Sequence, residues 1–183
     1  MMQTPSNEEL MLSVRDGDLH AFDQLVLRHQ SAAWGVAYRY LGDADEAEDM
    51  VQEAFLRILD AAERYRPTAA FRTYLYRVLT RLCIDHTRKK RPWPTDKLPE
   101  IPAPGLTPSE RIERAETESA IQKALDVLPP RYRMAIVLRY FEGLSGAEIA
   151  EAMKTTPKAV ERLLARARER LDPLLRPLRE EKA

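Results

Sequence analysis

The chain has 183 residues, 29 Lys and Arg balancing 29 Asp and Glu, three His and one Cys, with 44% hydrophobic and 32% charged residues. This length admits one or two domains, and the neutral total, taken at face value, disfavours a nucleic-acid partner because a basic footprint is missing. The single thiol, Cys83, excludes an internal disulfide and a cysteine-built zinc site, and His20, His29 and His86 share no metal-ligand spacing. Met1 to Leu12 lacks the charged start and apolar core of an export signal, and no apolar run approaches the roughly 20 residues of a membrane helix. A soluble, cytoplasmic protein without membrane insertion is expected. Six Gly, with almost no alternating β-branched stretches, leave little material for sheets or a glycine-rich phosphate loop, so the fold class is all-α.

Ser6-Asn7-Glu8-Glu9 has the form of a capping box and opens the first helix, and Asp43 to Glu46 is its Asp-led counterpart after Gly42. Between them, Asp18 to Leu41 carries Phe22, Leu25, Val26, Ala33, Val36, Ala37 and Tyr40 at helical spacing. Ala44 to about Tyr65 has a cleaner stripe of Ala47, Met50, Val51, Ala54, Phe55, Ile58 and Leu59, and Thr68 to about Arg91 shows Phe71, Tyr74, Leu75, Val78, Leu79, Leu82 and Cys83. Four helices with short joints predict a compact domain over 1–91.

Prolines 92, 94, 99, 102, 104 and 108 mark 92–108 as an extended linker, which at about 3.1 Å per residue reaches on the order of 50 Å. Thr107-Pro108-Ser109-Glu110 then combines an N-cap, a proline at the first helical position and a glutamate at the third, opening a second helical domain over 109–183. Its helix runs through Leu125 and Leu128, stops at Pro129 and resumes at Pro130 up to Gly143. Ser145-Gly146-Ala147-Glu148 caps a short helix, Lys154-Thr155-Thr156 forms a turn, and Pro157 starts a longer helix with Val160, Leu163, Leu164, Ala167 and Leu171 on one face. The tail beyond Leu171, with Pro173 and Pro177, is too short for a third domain.

Counting charge by segment removes the objection raised by the neutral total. Asp43 to Glu63 holds eight acidic residues and one Arg, net −7, whereas Arg66 to Arg91 holds eight basic residues and one Asp, net +7. Residues 120–183 add thirteen basic and nine acidic residues, net +4. Asp45, Glu48, Asp49, Gln52 and Glu53, with Leu56 beside them, recur on one helix side away from the apolar stripe. They form either a solvated face or a docking surface for a basic partner. The next helix interleaves Phe71, Tyr74 and Tyr76 with Arg72, Arg77, Arg81, Arg88 and Lys89. Aromatics stack on unpaired bases while arginines neutralise phosphates, which suits single-stranded or melted DNA, although Phe71 and Tyr74 also fit a core. Ser145 to Leu171 has the layout of a helix-turn-helix or of an ordinary helix pair. In the former, Thr156, Lys158, Glu161 and Arg162 would meet base edges in the major groove. Asp85-His86 is weak as an acid-base pair, because adjacent helix residues diverge and no nucleophile accompanies them. Cys83 lies on the apolar stripe as a small core residue.

Three stretches in this order and spacing, Asp45 to Leu56, Phe71 to Arg77 continuing through Ile84 to Arg88, and Gly146 to Glu151 with Arg166 to Arg168, resemble the sigma-70 family of bacterial RNA polymerase sigma factors, in its small extracytoplasmic-function group. The resemblance implies a non-enzymatic initiation factor without a cofactor, with sigma region 2 over 1–91 and region 4 over 109–183. It implies that Asp45, Glu48, Asp49, Gln52, Glu53 and Leu56 dock on the clamp helices of core RNA polymerase. Phe71, Arg72, Tyr74, Arg77, Arg81, Arg88 and Lys89 would recognise and melt the promoter −10 element. Ser145, Thr156, Lys158, Glu161, Arg162 and Arg166 would read the −35 element as duplex while the domain rests on the polymerase flap. An anti-sigma factor is a further expected partner. Tyr74 stands where the family often has Trp, Arg81 where it often has Asn, and Glu161 within a usually basic pattern, where it can accept from cytosine N4. Two other readings of the residues are a helix-turn-helix regulator acting without polymerase and a helical adaptor binding only proteins.

Overall fold

The computed structural model describes residues 4–89 and 108–180, with side chains described over 4–89 and 116–175. Among them are the helices α1 (Asn7–Arg15), α2 (Leu19–Leu41), α3 (Ala44–Asp60), α4 (Phe71–Lys89), α5 (Pro108–Asp126), α6 (Pro130–Tyr140), α7 (Gly146–Ala152) and α8 (Pro157–Glu180), a 3₁₀ turn at Ala62–Arg64, and no strand. The caps predicted at Ser6 and Asp43 hold, while the one predicted at Thr107 lies outside the described residues. The Ser6 hydroxyl accepts from the Glu9 amide at 3.2 Å while the Glu9 carboxylate accepts from the Ser6 amide at 2.7 Å, which keeps the Glu9 carboxyl below its ordinary range. Asp43 accepts from the Glu46 amide at 2.9 Å, and Gly42 ends α2 at φ 78°, a left-handed conformation that glycine adopts without steric cost.

Helices α1 to α4 close around Met11, Leu25, Ala33, Val36, Ile58, Phe71, Leu75 and Leu79, all fully buried. Burying one such Leu or Phe side chain contributes about 1.5–3 kcal/mol. Cys83 is part of this core, and burial pushes its thiol up to about 12. The second set of helices packs around Met134, Leu138, Leu144, Ile149, Val160 and Ala167.

Two boundaries differ from the sequence reading. Helix α3 ends at Asp60 rather than near Tyr65, and α4 begins at Phe71 rather than Thr68. Pro67 disfavours helical geometry at Arg66, and Tyr65 is already extended at φ −63°, ψ 133°. The chain therefore crosses residues 65–70 without helix. The first turn of α4 takes its cap from a distance: the Phe71 amide donates to the Glu8 carboxylate of α1 at 2.7 Å. Beyond Leu171, α8 continues to Glu180 through Pro173 and Pro177, each of which removes one backbone hydrogen bond. The predicted linker over 92–108 lies outside the described residues except for Pro108, which opens α5.

The two helix sets pack against each other. The C-terminal end of α2 meets α5 and α6, where Gln122 Nε2 donates to the Arg39 carbonyl at 3.4 Å and Arg133 Nη1 donates to the Tyr40 carbonyl at 2.8 Å. Arg133 also donates to the Asp126 carbonyl at 2.9 Å and pairs with its carboxylate at 3.0 Å. The Arg39 guanidinium lies over the Phe141 ring at 4.3 Å. Helix α4 meets α7 and the turn before it. Among the described residues, no helix is long and apolar enough to cross a membrane.

Candidate nucleic-acid interface

On α3 the core takes Ala47, Val51, Ala54, Phe55 and Ile58. At 100° per residue the remaining arc carries Asp45, Glu48, Asp49, Gln52 and Leu56, all exposed, with Glu53 half-buried. Gln52 Nε2 donates to Glu48 at 3.1 Å and Arg57 Nε donates to Glu53 at 2.6 Å, so this arc is an ordered acidic surface. Leu56 is 55% exposed at its end. On the flank toward α4, Glu46 Oε2 meets His86 Nε2 at 2.8 Å, so His86 joins two helices and has no catalytic geometry with Asp85.

The aromatic and basic residues of α4 do not all share one face. Phe71 is fully buried, its ring 5.3 Å from that of His29, so the expectation that it contacts DNA is corrected: the first residue of α4 faces the core. Tyr74, Arg77, Arg81 and Arg88 fall within a narrow arc of the helix, with Tyr74 half-buried, Arg77 partly exposed, and Arg81 and Arg88 exposed. Tyr74 lies 5.5 Å from the Tyr65 ring, the Arg77 guanidinium stands 5.2 Å from the Tyr74 centroid, and Arg81 pairs loosely with Asp85 at 3.7 Å. Burial holds the hydroxyls of Tyr65 and Tyr74 above the ordinary tyrosine range, so both remain neutral donors. Arg72 projects about 140° away from Arg77 around the helix, beside Tyr76, and Lys89 is exposed at the C-terminal end.

A cleft of about 270 Å³ opens at the head of this arc, lined by Arg64, Tyr65, Arg66, Tyr74 and Arg77, with Glu151 of α7 at its edge. Two tyrosine rings and three guanidinium groups around a concave space combine a stacking platform with phosphate donors. The Tyr65 hydroxyl is buried with no hydrogen-bond partner. Sequence reasoning missed Arg64 and Tyr65 because it extended the preceding helix through them, and it counted Arg66 in the basic segment without assigning it to a site. The signal was Tyr-Arg-Pro itself, an aromatic and basic pair ahead of a helix-breaking proline.

The second constellation is a short helix, a turn and a long helix. Ser145 caps α7 in a reciprocal box with Glu148, its hydroxyl accepting from the Glu148 amide at 3.2 Å. The turn is closed by the Thr155 amide donating to the Ala150 carbonyl at 2.8 Å, with Lys154 in left-handed geometry at φ 48°. Thr156 caps α8 through its hydroxyl, which accepts from the Ala159 amide at 3.2 Å. On α8, Val160, Leu164, Ala167 and Leu171 are buried, while Lys158, Glu161, Arg162 and Arg166 are exposed on the opposite arc together with Thr156. The hydroxyls of Ser145 and Thr156 therefore hold helix ends, and the four charged side chains form the free surface. Among the described residues no cluster of His, Cys, Asp and Glu could hold a metal ion.

The Sigma-70 region 2 family matches residues 25–92, and the family described as Sigma-70, region 4 matches residues 118–171. The chain is 35% identical to the RNA polymerase sigma-H factor of Pseudomonas aeruginosa, with 97% of this chain and 98% of that protein covered. It is also 35% identical to the ECF RNA polymerase sigma factor SigW of Bacillus subtilis, covering 90% and 94% of the two chains. Among solved structures it resembles CnrH in complex with the cytosolic domain of CnrY, with a TM-score of 0.73, 27% identity and coverage of 94% and 99%. An acidic helix, an aromatic and basic helix beside a cleft and a helix-turn-helix thus stand in the order of sigma regions 2 and 4, and the chain belongs to the sigma-70 family, as an extracytoplasmic-function RNA polymerase sigma factor that directs promoter-specific transcription initiation.

Proposed function

We propose that initiation is divided among three surfaces of this chain. The acidic arc of α3 docks on a basic surface of core RNA polymerase, Asp49 at its centre, with Leu56 supplying an apolar anchor. The arc of Tyr74, Arg77, Arg81 and Arg88, with the cleft beside it, holds the −10 strand once it is unpaired. A base enters the cleft beside Tyr65 and Tyr74, where stacking on an aromatic ring is worth about 1–3 kcal/mol per base, and the arginines follow the phosphates. Lys158, Glu161, Arg162 and Arg166 enter the major groove of the −35 element, the basic residues neutralising phosphates and Glu161 accepting from cytosine N4. The protein breaks no covalent bond and works in the cytoplasm on polymerase. Its binding to an anti-sigma partner follows the example of CnrH, whose structure holds the cytosolic domain of CnrY.

The observation that carries this reading is the separation of charge between neighbouring helices, an ordered acidic arc on α3 and an arginine arc on α4, which fits one basic protein surface and one nucleic-acid strand. Transcription with purified core polymerase on a random promoter library tests it. Promoter-dependent initiation by the wild-type chain, lost in Asp49→Lys for lack of holoenzyme and in Tyr74→Ala after holoenzyme forms, is the expected result. Tight duplex binding and unchanged function of Asp49→Lys would instead indicate a regulator acting without polymerase.

A further inference from the structure

The exposed face of α8 is not charged throughout. At 100° per residue, Lys158, Arg162, Ala165 and Glu169 fall within an arc of about 60° that lies opposite the buried Val160, Leu164, Ala167 and Leu171. Ala165 is exposed within this row, with Glu161 about 40° to one side of it and Arg162 about 60° to the other. Two further arginines of the helix are held by their own domain. Arg168 Nε donates to the Leu164 carbonyl at 3.2 Å, and the Arg170 guanidinium lies 5.7 Å from the centroid of the Tyr132 ring. The charged side chains left to reach outward around Ala165 are therefore Lys158, Glu161, Arg162 and Arg166.

A helix about 10–12 Å across fills a major groove about 12 Å wide, so its outermost row faces the base edges while its flanks face the phosphates. Long side chains in that row reach the edges from a distance, whereas a methyl group touches them only where the helix lies deepest. Ala165 carries nothing beyond Cβ, so at its turn the backbone comes closest to the bases. Of the four bases, only thymine presents an apolar group in the major groove, its C5 methyl. A polar edge pressed against Ala165 would lose water without gaining a hydrogen bond, which costs free energy. The position of the contact follows from the helix. Glu161 precedes Ala165 by four residues, a rise of about 6 Å at 1.5 Å per residue, and base pairs stack at about 3.4 Å. The pair touched by Ala165 is thus within about two pairs of the one read by Glu161. Glu169, one turn further along the same row, is a carboxylate that phosphates repel, so the run of base contacts ends at Ala165.

We propose that Ala165 is a specificity-determining residue of this chain, its methyl group packing on the C5 methyl of a thymine next to, or one pair removed from, the cytosine that Glu161 accepts from. The proposal rests on the assignment of α8 to the −35 element. It gives that element a chemical signature, a cytosine amino group and a thymine methyl read from adjoining turns of one helix. Lys158, Arg162 and Arg166 supply the attraction to phosphate around this pair, and Arg168 and Arg170 hold the helix in its domain instead of contacting DNA.

Holoenzyme assembled from core polymerase and the full chain is used to select a −35 element from a random promoter library. Each thymine of the selected element is then replaced in turn by deoxyuridine, which removes the C5 methyl and leaves the hydrogen-bonding edge intact, and affinity is read by competition. At one thymine, within about two base pairs of the position that responds to Glu161→Ala, the replacement is expected to weaken wild-type binding about fourfold, the equivalent of exposing one methyl-sized group. Ala165→Gly, which removes Cβ, should bind the thymine and deoxyuridine duplexes alike. Comparing two duplexes on one protein cancels any loss of helix stability caused by the glycine. Equal wild-type affinity for both duplexes at every position, a selected element with no thymine in that window, or the same loss persisting in Ala165→Gly would overturn the proposal. Arg162→Ala separates the two levels. If it weakens binding to the selected element while deoxyuridine changes nothing, Ala165 has no part in readout and the assignment of α8 survives; if it leaves affinity unchanged, the assignment fails and the proposal with it.

Discussion

Glu8 connects the start of the chain to the first turn of the DNA-reading helix, and its removal is a direct test of how α4 is positioned. The Glu8 carboxylate accepts from the Phe71 amide at 2.7 Å, in a partly buried setting that also holds His29 and the ring of Phe71. An N-cap carboxylate replaced by Ala costs about 0.5–2 kcal/mol, and a charge-assisted bond shielded from water belongs in the upper half of that range. A loss of about 1.5 kcal/mol in a chain of this size lowers Tm by about 3–6 °C. Thermal unfolding of Glu8→Ala followed by circular dichroism is expected to show that drop, with Glu8→Gln, which keeps an acceptor oxygen without the charge, recovering about half of it. Open-complex formation at a temperature where both proteins are folded should also slow in Glu8→Ala, because Arg72, Tyr74 and Arg77 follow directly from the capped turn. A Tm change below 1 °C, or equal loss in the Ala and Gln variants, would refute the long-range cap.

Three further outcomes are expected. Lys154 sits in left-handed geometry at φ 48°, so Lys154→Gly should raise stability by about 0.5–1 kcal/mol, measured by urea denaturation, whereas an unchanged or lower midpoint would mean that the side chain offsets the strain. His29 is held below its ordinary pKa by burial first and by Arg28 and Arg72 second, and its Nε2 has no partner. The unfolded chain therefore takes up this proton near pH 6.5 before the folded one does. The stability contribution of neutral His29 is complete above that pH and is lost as pH falls below it, so Tm should decline between pH 7 and 5.5 more steeply in wild type than in His29→Gln. Glu161→Ala should change which base is preferred at one −35 position by about 1–3 kcal/mol in a promoter-duplex selection; an equal change on every duplex would remove its role in base readout.

Helix positions were legible because local rules decide them: a Ser or Asp cap, a stripe at 3.6-residue spacing, a Gly or Pro stop. The charge map was legible for the same reason, since exposed arcs of α3 and α8 are what remains when the apolar positions turn inward. The acidic face from Asp45 to Leu56 and the free arc of Lys158, Glu161, Arg162 and Arg166 accordingly appear where periodicity placed them. The start of α4 was not legible, because its cap comes from Glu8, 63 residues earlier. Phe71 was legible only as a choice, since it stands on the apolar stripe and also among the basic residues, and its packing against His29 decides for the core. The cleft beside Tyr65 and Tyr74, and the contacts of Glu142 and Glu151 with α4, depend on pairs of residues far apart in the chain. Local chemistry thus determined the helices, their polar faces and the family to which they point. Only tertiary packing decided which aromatic residues are core, where concave space opens and which arginines already face a carboxylate, because each depends on the mutual orientation of helices brought together from distant parts of the chain.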